Sequence, residues 1–522
     1  MPHNSEYDLL VIGGGINGTG IARDAAGRGL AVLLAEQHDL AAHTSSSSTK
    51  LIHGGLRYLE YREFGLVRKA LQERETLLRA APHIMSPLRF VMPHVPSLRP
   101  AWLIRAGLFL YDHLASREFL RGSRGIDLRS HPAGAVLVEG LRRGFVYSDG
   151  WVDDARLVVL NALDAAERGA TIRTRTALVG ATRAGGQWQA RLQQPGGAIE
   201  SVSARCLVNA TGPWVGRMLQ GPIDSGRPPH HGVRLVKGSH IVTRRLFDHD
   251  HAYIFQNPDK RIIFAIPYED DFTLIGTTDV PYDGDPAAVA IDGDETRYLC
   301  DSINRYFRRK IAPADACWSY SGVRPLLDEE GTANPSAVTR DYRLEYEAPQ
   351  GQAPLLSVFG GKITTYRKLS EEAVDLLGAA LGHGAPAWTS GAVLPGGDFP
   401  QGDFEAFARG FAQGHGWLPE RLARRYAHAY GTRAERIVAQ ARSLDDLGRP
   451  FAADLYEAEL RYLRQAEWAR SAQDVLWRRS KLGLHVAPEE RDRVARDIDA
   501  WLRAEGTPRP GRPGTVMSET GH

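Results

Sequence analysis

The chain has 522 residues, a formal net charge of +2, and 43% hydrophobic and 24% charged residues. That is the composition of a large globular protein of roughly two to four domains. The near-neutral balance gives no ground for a nucleic-acid or strongly acidic partner. Cys206, Cys300 and Cys317 lie far apart with no paired spacing, which excludes a disulfide framework or a structural zinc site.

The first element is an apolar run, Leu9 to Ile12, that stops at glycine before a helical pattern from Asn17 towards Gly29. Gly13, Gly15 and Gly18 form a G-x-G-x-x-G at this strand-to-helix junction. The first glycine permits the turn, the second lets backbone approach a pyrophosphate, and the third lets helix and strand pack closely. Phosphates would rest on free N–H groups at the helix start. A second apolar strand, Leu30 to Ala35, ends in Glu36, at the spacing where a carboxylate meets a ribose. Together these features predict dinucleotide binding.

A hydroxyl-rich loop follows, His38 to Lys50, including Thr44, Ser45 and Ser46, and leads into His53, Gly54-Gly55 and Arg57. It reads as a cofactor-wrapping loop, because a plain spacer has no need of those cations and paired glycines. Phe64 to Ala81 is an amphipathic helix, and the five prolines between Pro82 and Pro100 predict an irregular or edge-strand segment. Ala101 to Leu114 is the most apolar helical stretch, shorter than the roughly 18 residues needed to span a bilayer, and is expected to be buried in a second domain. An interfacial helix is the alternative.

Trp151 to Leu163 is helical, and the β-patterned runs 171–176, 187–193 and 199–202 predict a small antiparallel sheet. Cys206 to Asn209 is a short strand breaking at Ala210-Thr211-Gly212, followed by Trp214, a return crossing into the nucleotide domain. Three β-rich runs, 232–241, 252–266 and 273–278, predict a substrate sheet carrying His240 and Thr277 at strand ends. A helix from Glu295 to Ile311 would present Arg305, Arg308, Arg309 and Lys310 as a solvated or lipid-facing basic surface. Arg324 sits between a turn and a proline. The strand 355–359 breaks into Gly360-Gly361-Lys362-Ile363-Thr364, a second glycine junction opening a helix.

The expected organisation is α/β with an α+β substrate domain: a Rossmann-like, glutathione-reductase-type FAD-binding domain in three pieces (1–80, 151–220, 341–390). A mixed-sheet substrate domain falls in two pieces (81–150, 221–340), with an all-helical domain over 391–505 and a disordered Pro/Gly-rich tail over 506–522. No signal peptide and no spanning helix is recognisable, so the protein is expected in the cytoplasm or against a membrane.

The sequence resembles the aerobic FAD-dependent glycerol-3-phosphate dehydrogenases, of the glycine-oxidase-like superfamily. The resemblance rests on Ile12-Gly-Gly-Gly-Ile-Asn-Gly18, Lys50-Leu-Ile-His-Gly-Gly-Leu-Arg-Tyr-Leu-Glu60, Leu207-Val-Asn-Ala-Thr-Gly-Pro-Trp-Val215, Lys237-Gly-Ser-His-Ile241, Ile275-Gly-Thr-Thr-Asp279, Ser321-Gly-Val-Arg-Pro325 and Phe359-Gly-Gly-Lys-Ile-Thr-Thr-Tyr-Arg367. It implies oxidation of sn-glycerol 3-phosphate to dihydroxyacetone phosphate, with electrons passed to membrane quinone. It also implies a homodimer held peripherally on the cytoplasmic face of the inner membrane. A soluble oxidase reducing oxygen, or an amino-acid oxidase on the same fold, is the alternative.

On these residues, hydride leaves C2 of the substrate for flavin N5 while His240 takes the hydroxyl proton, with His53 as the rival base. Arg57 and Arg324 bind the phosphate, with Tyr58 and Thr277 adding hydrogen bonds. Lys362 and the amides of Ile363 and Thr364 stabilise charge on the flavin. Gly13, Gly15, Asn17, Gly18, Glu36, Thr44, Ser45, Ser46, Lys50, His53, Gly54, Ala210, Gly212, Trp214 and Gly361 complete the expected cofactor contacts. No metal is expected.

Overall fold

The computed structural model describes residues 5–97, 99–225, 233–259, 261–327 and 341–504. The expected tail, 506–522, lies outside the described residues. The chain divides into two compact units, with the boundary between Arg436 and Ile437.

In the larger unit, strand Ser5–Ile12 lies at the centre of a mainly parallel sheet. It pairs with Val32–Ala35 on one side and Ile199–Asn209 on the other, in a register that opposes Leu9 to both Val32 and Cys206. Leu355–Phe359 adds in parallel beyond Ile199–Asn209, and Thr171–Arg173 beyond Val32–Ala35. The strand reads as an unbroken apolar run because both faces are covered; on one of them Leu10 and Ile12 share a core with Leu178, Trp188 and Leu192 of strands Ala177–Ala184 and Gln187–Gln193. Leu9, Leu10 and Val11 are fully buried, each contributing about 1.5–3 kcal/mol of transfer free energy. Every parallel strand therefore ends on the same side, and the loops beyond Ile12, Asn209 and Phe359 meet there.

A second sheet of ten strands is mostly antiparallel. Its spine is Val233–Arg244, flanked on one side by Phe272–Gly276 and along the other by Ala316–Leu327. It continues through Ile262–Tyr268, Ala252–Gln256, Met85–Pro93 and Arg143–Val152 to Leu51–Ile52. Helix Gly293–Asn304 packs Leu299, Cys300 and Ile303 into the core of this sheet.

Three expectations are corrected here. The proline-rich segment contains an interior strand, Met85–Pro93, paired on both sides. Pro87 is tolerated because pairing with Ala252–Gln256 begins only at Phe90, so its missing N–H falls where one flank is open. The helix after Asp292 stops at Asn304, and the cations beyond it mostly cap carbonyls: Arg308 donates to Leu137 O, Arg309 to Arg245 O and Lys310 to Phe307 O. Arg305, Arg308, Arg309 and Lys310 are all exposed, so the expected solvated basic surface lies on the turns beyond the helix and not on the helix itself.

The third correction concerns helix Ala101–His113, which is not buried. Only Leu108 and Tyr111 face inward, while Trp102 is 72%, Phe109 56% and Leu103 47% exposed. Apolar composition alone could not decide this, since burial also needs a partner face, and none covers this one among the described residues. No helix among the described residues is long and apolar enough to cross a membrane.

The smaller unit contains helices Glu457–Ala466 and Arg491–Ala504 and a short hairpin, Pro450–Ala452 with Leu455–Tyr456. The hairpin departs from the all-helical expectation.

Candidate active site

A single cavity of about 840 Å³ runs from the ends of the parallel strands to the face of the second sheet. Its first wall is backbone. Gly13 has φ +113°, and a Cβ there would lie 2.5 Å from the Ala210 carbonyl oxygen. A Cβ on Gly18 would lie 1.9 Å from Gly13 O, so Gly18 lets the helix Ile16–Gly27 sit against the turn without itself lining the cavity. Gly212 and Gly361, both at positive φ, close the same wall. Ala210 lines it as well, and Trp214 meets His43 edge-on at 4.7 Å.

Asn17 Nδ2 donates to Gly360 O at 3.1 Å, joining the two glycine junctions across more than 300 residues of chain. Its Oδ1 is buried without a hydrogen-bond partner. Glu36 accepts Gly14 N–H through one carboxylate oxygen and His38 N–H through the other, both at 2.7 Å. The acid at the end of the second strand thus braces the glycine turn.

The hydroxyl-rich loop is largely committed to protein. Thr44 donates to Val323 O at 2.7 Å, Ser45 Oγ accepts Ile16 N–H at 3.0 Å, and Ser46 donates to His43 O at 3.1 Å. Ser46, Lys50 and Gly54 do not line the cavity. Lys50 is buried and ion-paired with Asp154 at 2.7 Å, and the Gly54 N–H goes to the Tyr111 hydroxyl. A buried ammonium needs a carboxylate, and that requirement takes Lys50 away from any ligand. His53 does line the cavity, its N–H bonded to Thr364 Oγ1.

The opposite wall is side chain. Strand alternation sends Gly238 and His240 to the cavity, and on the neighbouring strand Gly322, opposite Gly238, and Arg324, opposite Val236, do the same. Arg324 is paired with Asp279 at 3.1 Å and approaches Thr277 Oγ1 at 3.3 Å. Arg57 and Tyr58 line the mouth, with Lys362 Nζ 3.8 Å from the centroid of the Tyr58 ring. Lys362 caps the turn Ile363–Thr365 that begins helix Tyr366–Leu381.

His240 is 1% exposed, stacks on Tyr320 at 4.8 Å and shares a 3.0 Å hydrogen bond between Nε2 and Thr49 Oγ1. Its Nδ1 has no hydrogen-bond partner. Burial, then Arg324 and Lys50, hold its pKa well below the usual histidine value. This environment disfavours the charged imidazolium, and it leaves one ring nitrogen buried without a hydrogen-bond partner. Sequence reasoning missed Thr49, and also Gln256, Asp259 and Arg261, which line the same wall. The last three sit on a hairpin in β-patterned sequence with no motif, so nothing local marks them.

Residues 8–393 match the family model described as FAD dependent oxidoreductase, and 387–502 match that of the C-terminal domain of alpha-glycerophosphate oxidase. The chain belongs to the FAD dependent oxidoreductase family. It is 54% identical to a glycerol-3-phosphate dehydrogenase of Pseudomonas aeruginosa, covering 97% of this chain and 96% of that one. It is 52% identical to a D-erythritol 1-phosphate dehydrogenase of Brucella abortus, covering 94% and 97%. The crystal structure of a Bacillus halodurans glycerol-3-phosphate dehydrogenase complexed with FAD superimposes with a TM-score of 0.73 at 26% identity, covering 96% and 95%.

FAD is the cofactor, and the glycine wall fits it. A side chain at Gly13 would clash with the Ala210 backbone, a Cβ at Gly15 would crowd Ser45 Oγ at 3.1 Å, and Asn17 offers an unmet buried acceptor. The cavity is also lined by the loops beyond strand ends far apart in sequence, at Gly13, Ala210 and Gly360.

Proposed function

We propose that this enzyme oxidises sn-glycerol 3-phosphate to dihydroxyacetone phosphate and passes the electrons to membrane quinone. The observation that carries this reading is the grouping of Arg324, Thr277 and His240, with Arg57 and Tyr58, on a cavity whose far wall fits FAD. Two guanidinium groups suit a phosphate dianion, and Asp279 keeps one of them aimed. FAD, when bound, supplies the two-electron acceptor.

The protein handles the proton. In the tautomer that donates Nε2–H to Thr49, His240 keeps Nδ1 as a neutral base for the C2 hydroxyl, and the Tyr320 ring stacks on its plane. Lys362 and the amides of Ile363 and Thr364 line the cavity, where they would stabilise negative charge on the bound flavin. The exposed face of Ala101–His113 lies on the membrane surface, with the enzyme peripheral and homodimeric as in the resembling family. Trp102→Glu combined with Phe109→Glu is expected to release the protein from anionic vesicles in co-sedimentation.

Anaerobic mixing of the yellow holoenzyme with glycerol 3-phosphate is the direct test. Bleaching within the first turnovers supports the reading; a flavin bleached by dithionite but not by glycerol 3-phosphate overturns it. A second reading takes D-erythritol 1-phosphate as substrate, because Gln256, Asp259 and Arg261 add polar groups to the same cavity. The ratio of kcat/KM for the two phosphates decides between them.

A further inference from the structure

We propose that Glu295 is the positioning residue of the substrate wall: one buried carboxylate, outside the cavity, sets the placement of His240, Thr277 and Arg324. The two faces of strand Val233–Arg244 are used differently. Gly238 and His240 line the cavity, while Lys237 and Ser239 point to the opposite side, where helix Gly293–Asn304 packs.

Glu295 sits in the first turn of that helix, 5% exposed, in a capping box with Asp292. Its Oε1 accepts from Thr278 Oγ1 at 2.7 Å and from Ser239 Oγ at 3.0 Å. Its Oε2 meets Lys237 Nζ at 2.8 Å and accepts Asp292 N–H at 3.2 Å.

A carboxylate only accepts, so the direction of every hydroxyl in the network follows. Ser239 gives its one proton to Glu295, which makes Ser321 the donor in the 2.8 Å contact between Ser239 Oγ and Ser321 Oγ. Thr278 likewise donates to Glu295 and accepts Ser239 N–H at 2.8 Å. Thr278 itself lines the cavity, and Ser239 and Ser321 are chain neighbours of residues that do. Ser239 precedes His240, Thr278 follows Thr277, and Ser321 lies between Tyr320, which stacks on His240, and Arg324.

A helix cap needs none of this. An exposed glutamate would complete the capping box equally well, and burying it beside Lys237 carries a desolvation cost that the box does not require. What burial adds is a common anchor, on a helix rooted in the sheet core, for strands Val233–Arg244 and Ala316–Leu327 and for the segment that follows Phe272–Gly276, beyond their backbone pairing.

The test uses full-length, FAD-loaded enzyme. Thr278→Val removes both the donor to Glu295 and the acceptor for Ser239 N–H, and Thr278→Ser keeps them. Expected for Thr278→Val is a fall in single-turnover flavin reduction on the order of 10–100-fold, larger in kcat than in KM, restored by Thr278→Ser. Crystal structures of the two variants should show His240 and Thr277 displaced by about 0.5 Å or more in the valine protein only. A rate within about two-fold of wild type, an unmoved His240, or a serine variant as slow as valine overturns the proposal.

The rate measurement rests on the function proposed above. If wild type is not reduced by glycerol 3-phosphate, that reading fails, and the crystallographic comparison still decides the role of Glu295. Glu295→Gln, which keeps an acceptor for Ser239 and Thr278 but leaves Lys237 with Asp292 as its one carboxylate partner, is expected to fall between wild type and Thr278→Val in rate.

Discussion

The two walls of the cavity are built from different material. The glycine wall presents backbone held close by the absence of side chains, and the substrate wall presents side chains held by other side chains. Gly13 and Gly18 act within one turn of chain, whereas His240, Thr277 and Arg324 are assembled from three strands spread over more than 80 residues. The first wall should therefore fail sharply when atoms are added, and the second should fail in graded steps as atoms are removed.

The largest expected effect is on the glycine wall. Gly18→Ala places a Cβ 1.9 Å from Gly13 O, where both neighbours are backbone and cannot swing away. Overpacking of this kind costs about 1–3 kcal/mol before any ligand is lost. The displaced turn also loses its fit to the pyrophosphate. Purified Gly18→Ala should carry less than about a tenth of the wild-type flavin, tenfold corresponding to 1.4 kcal/mol. Full flavin content would mean that the helix can slide and that the wall is softer than its packing implies.

On the substrate wall, His240→Asn should lower kcat by about 10²–10⁴-fold, the range of general-base catalysis, with flavin content unchanged. The pH profile sharpens this. A base works in its neutral form, so activity is present above its pKa and is lost as pH falls through it. Burial, Arg324 and Lys50 push the His240 pKa well below the usual value, which places the acid limb well below pH 6.5. Wild-type kcat should stay level from pH 8 down through pH 6. A limb centred near 6.5 that vanishes in His240→Asn would show an exposed, ordinary imidazole.

Arg324→Lys is the next step down. Lysine keeps the charge but cannot hold Asp279 and a phosphate oxygen through separate nitrogens. A charge-assisted hydrogen bond contributes about 1.5–3 kcal/mol, so KM should rise roughly 10–100-fold with little change in kcat. An unchanged KM would assign the phosphate to Arg57 alone.

The same contrast explains what was legible in the sequence. Glycines needed for close approach are written locally, and Gly13, Gly15, Gly18, Gly212 and Gly361 all fall where strand meets helix. The apolar run at Leu9 announced a parallel strand covered on both faces. Lys50 was misplaced because its position in a polar loop says nothing of Asp154, some hundred residues on, which holds it. Helix Ala101–His113 was misplaced for the converse reason: its apolar face has no partner among the described residues. Thr49 and Glu295 were invisible because their roles exist only through cross-strand register. That register pairs His240 with both Gly276 and Tyr320, and Ser239 with Ser321.

The smallest expected effect probes the exception, a side chain working within the backbone wall. Gly15 cannot cap the helix it precedes, and Ser45 reaches from the hydroxyl-rich loop to accept Ile16 N–H at 3.0 Å. Ser45 thus supplies the N-cap in trans, satisfying a donor that would otherwise add to the phosphate-binding end. Ser45→Ala should cost about 0.5–2 kcal/mol of stability by denaturant unfolding, as for loss of an N-cap. The freed Ile16 N–H remains available to a phosphate, so flavin affinity should change by less than about tenfold, or 1.4 kcal/mol. A larger loss would mean that the loop hydroxyls bind the cofactor directly, and that the first wall, like the second, depends on side chains.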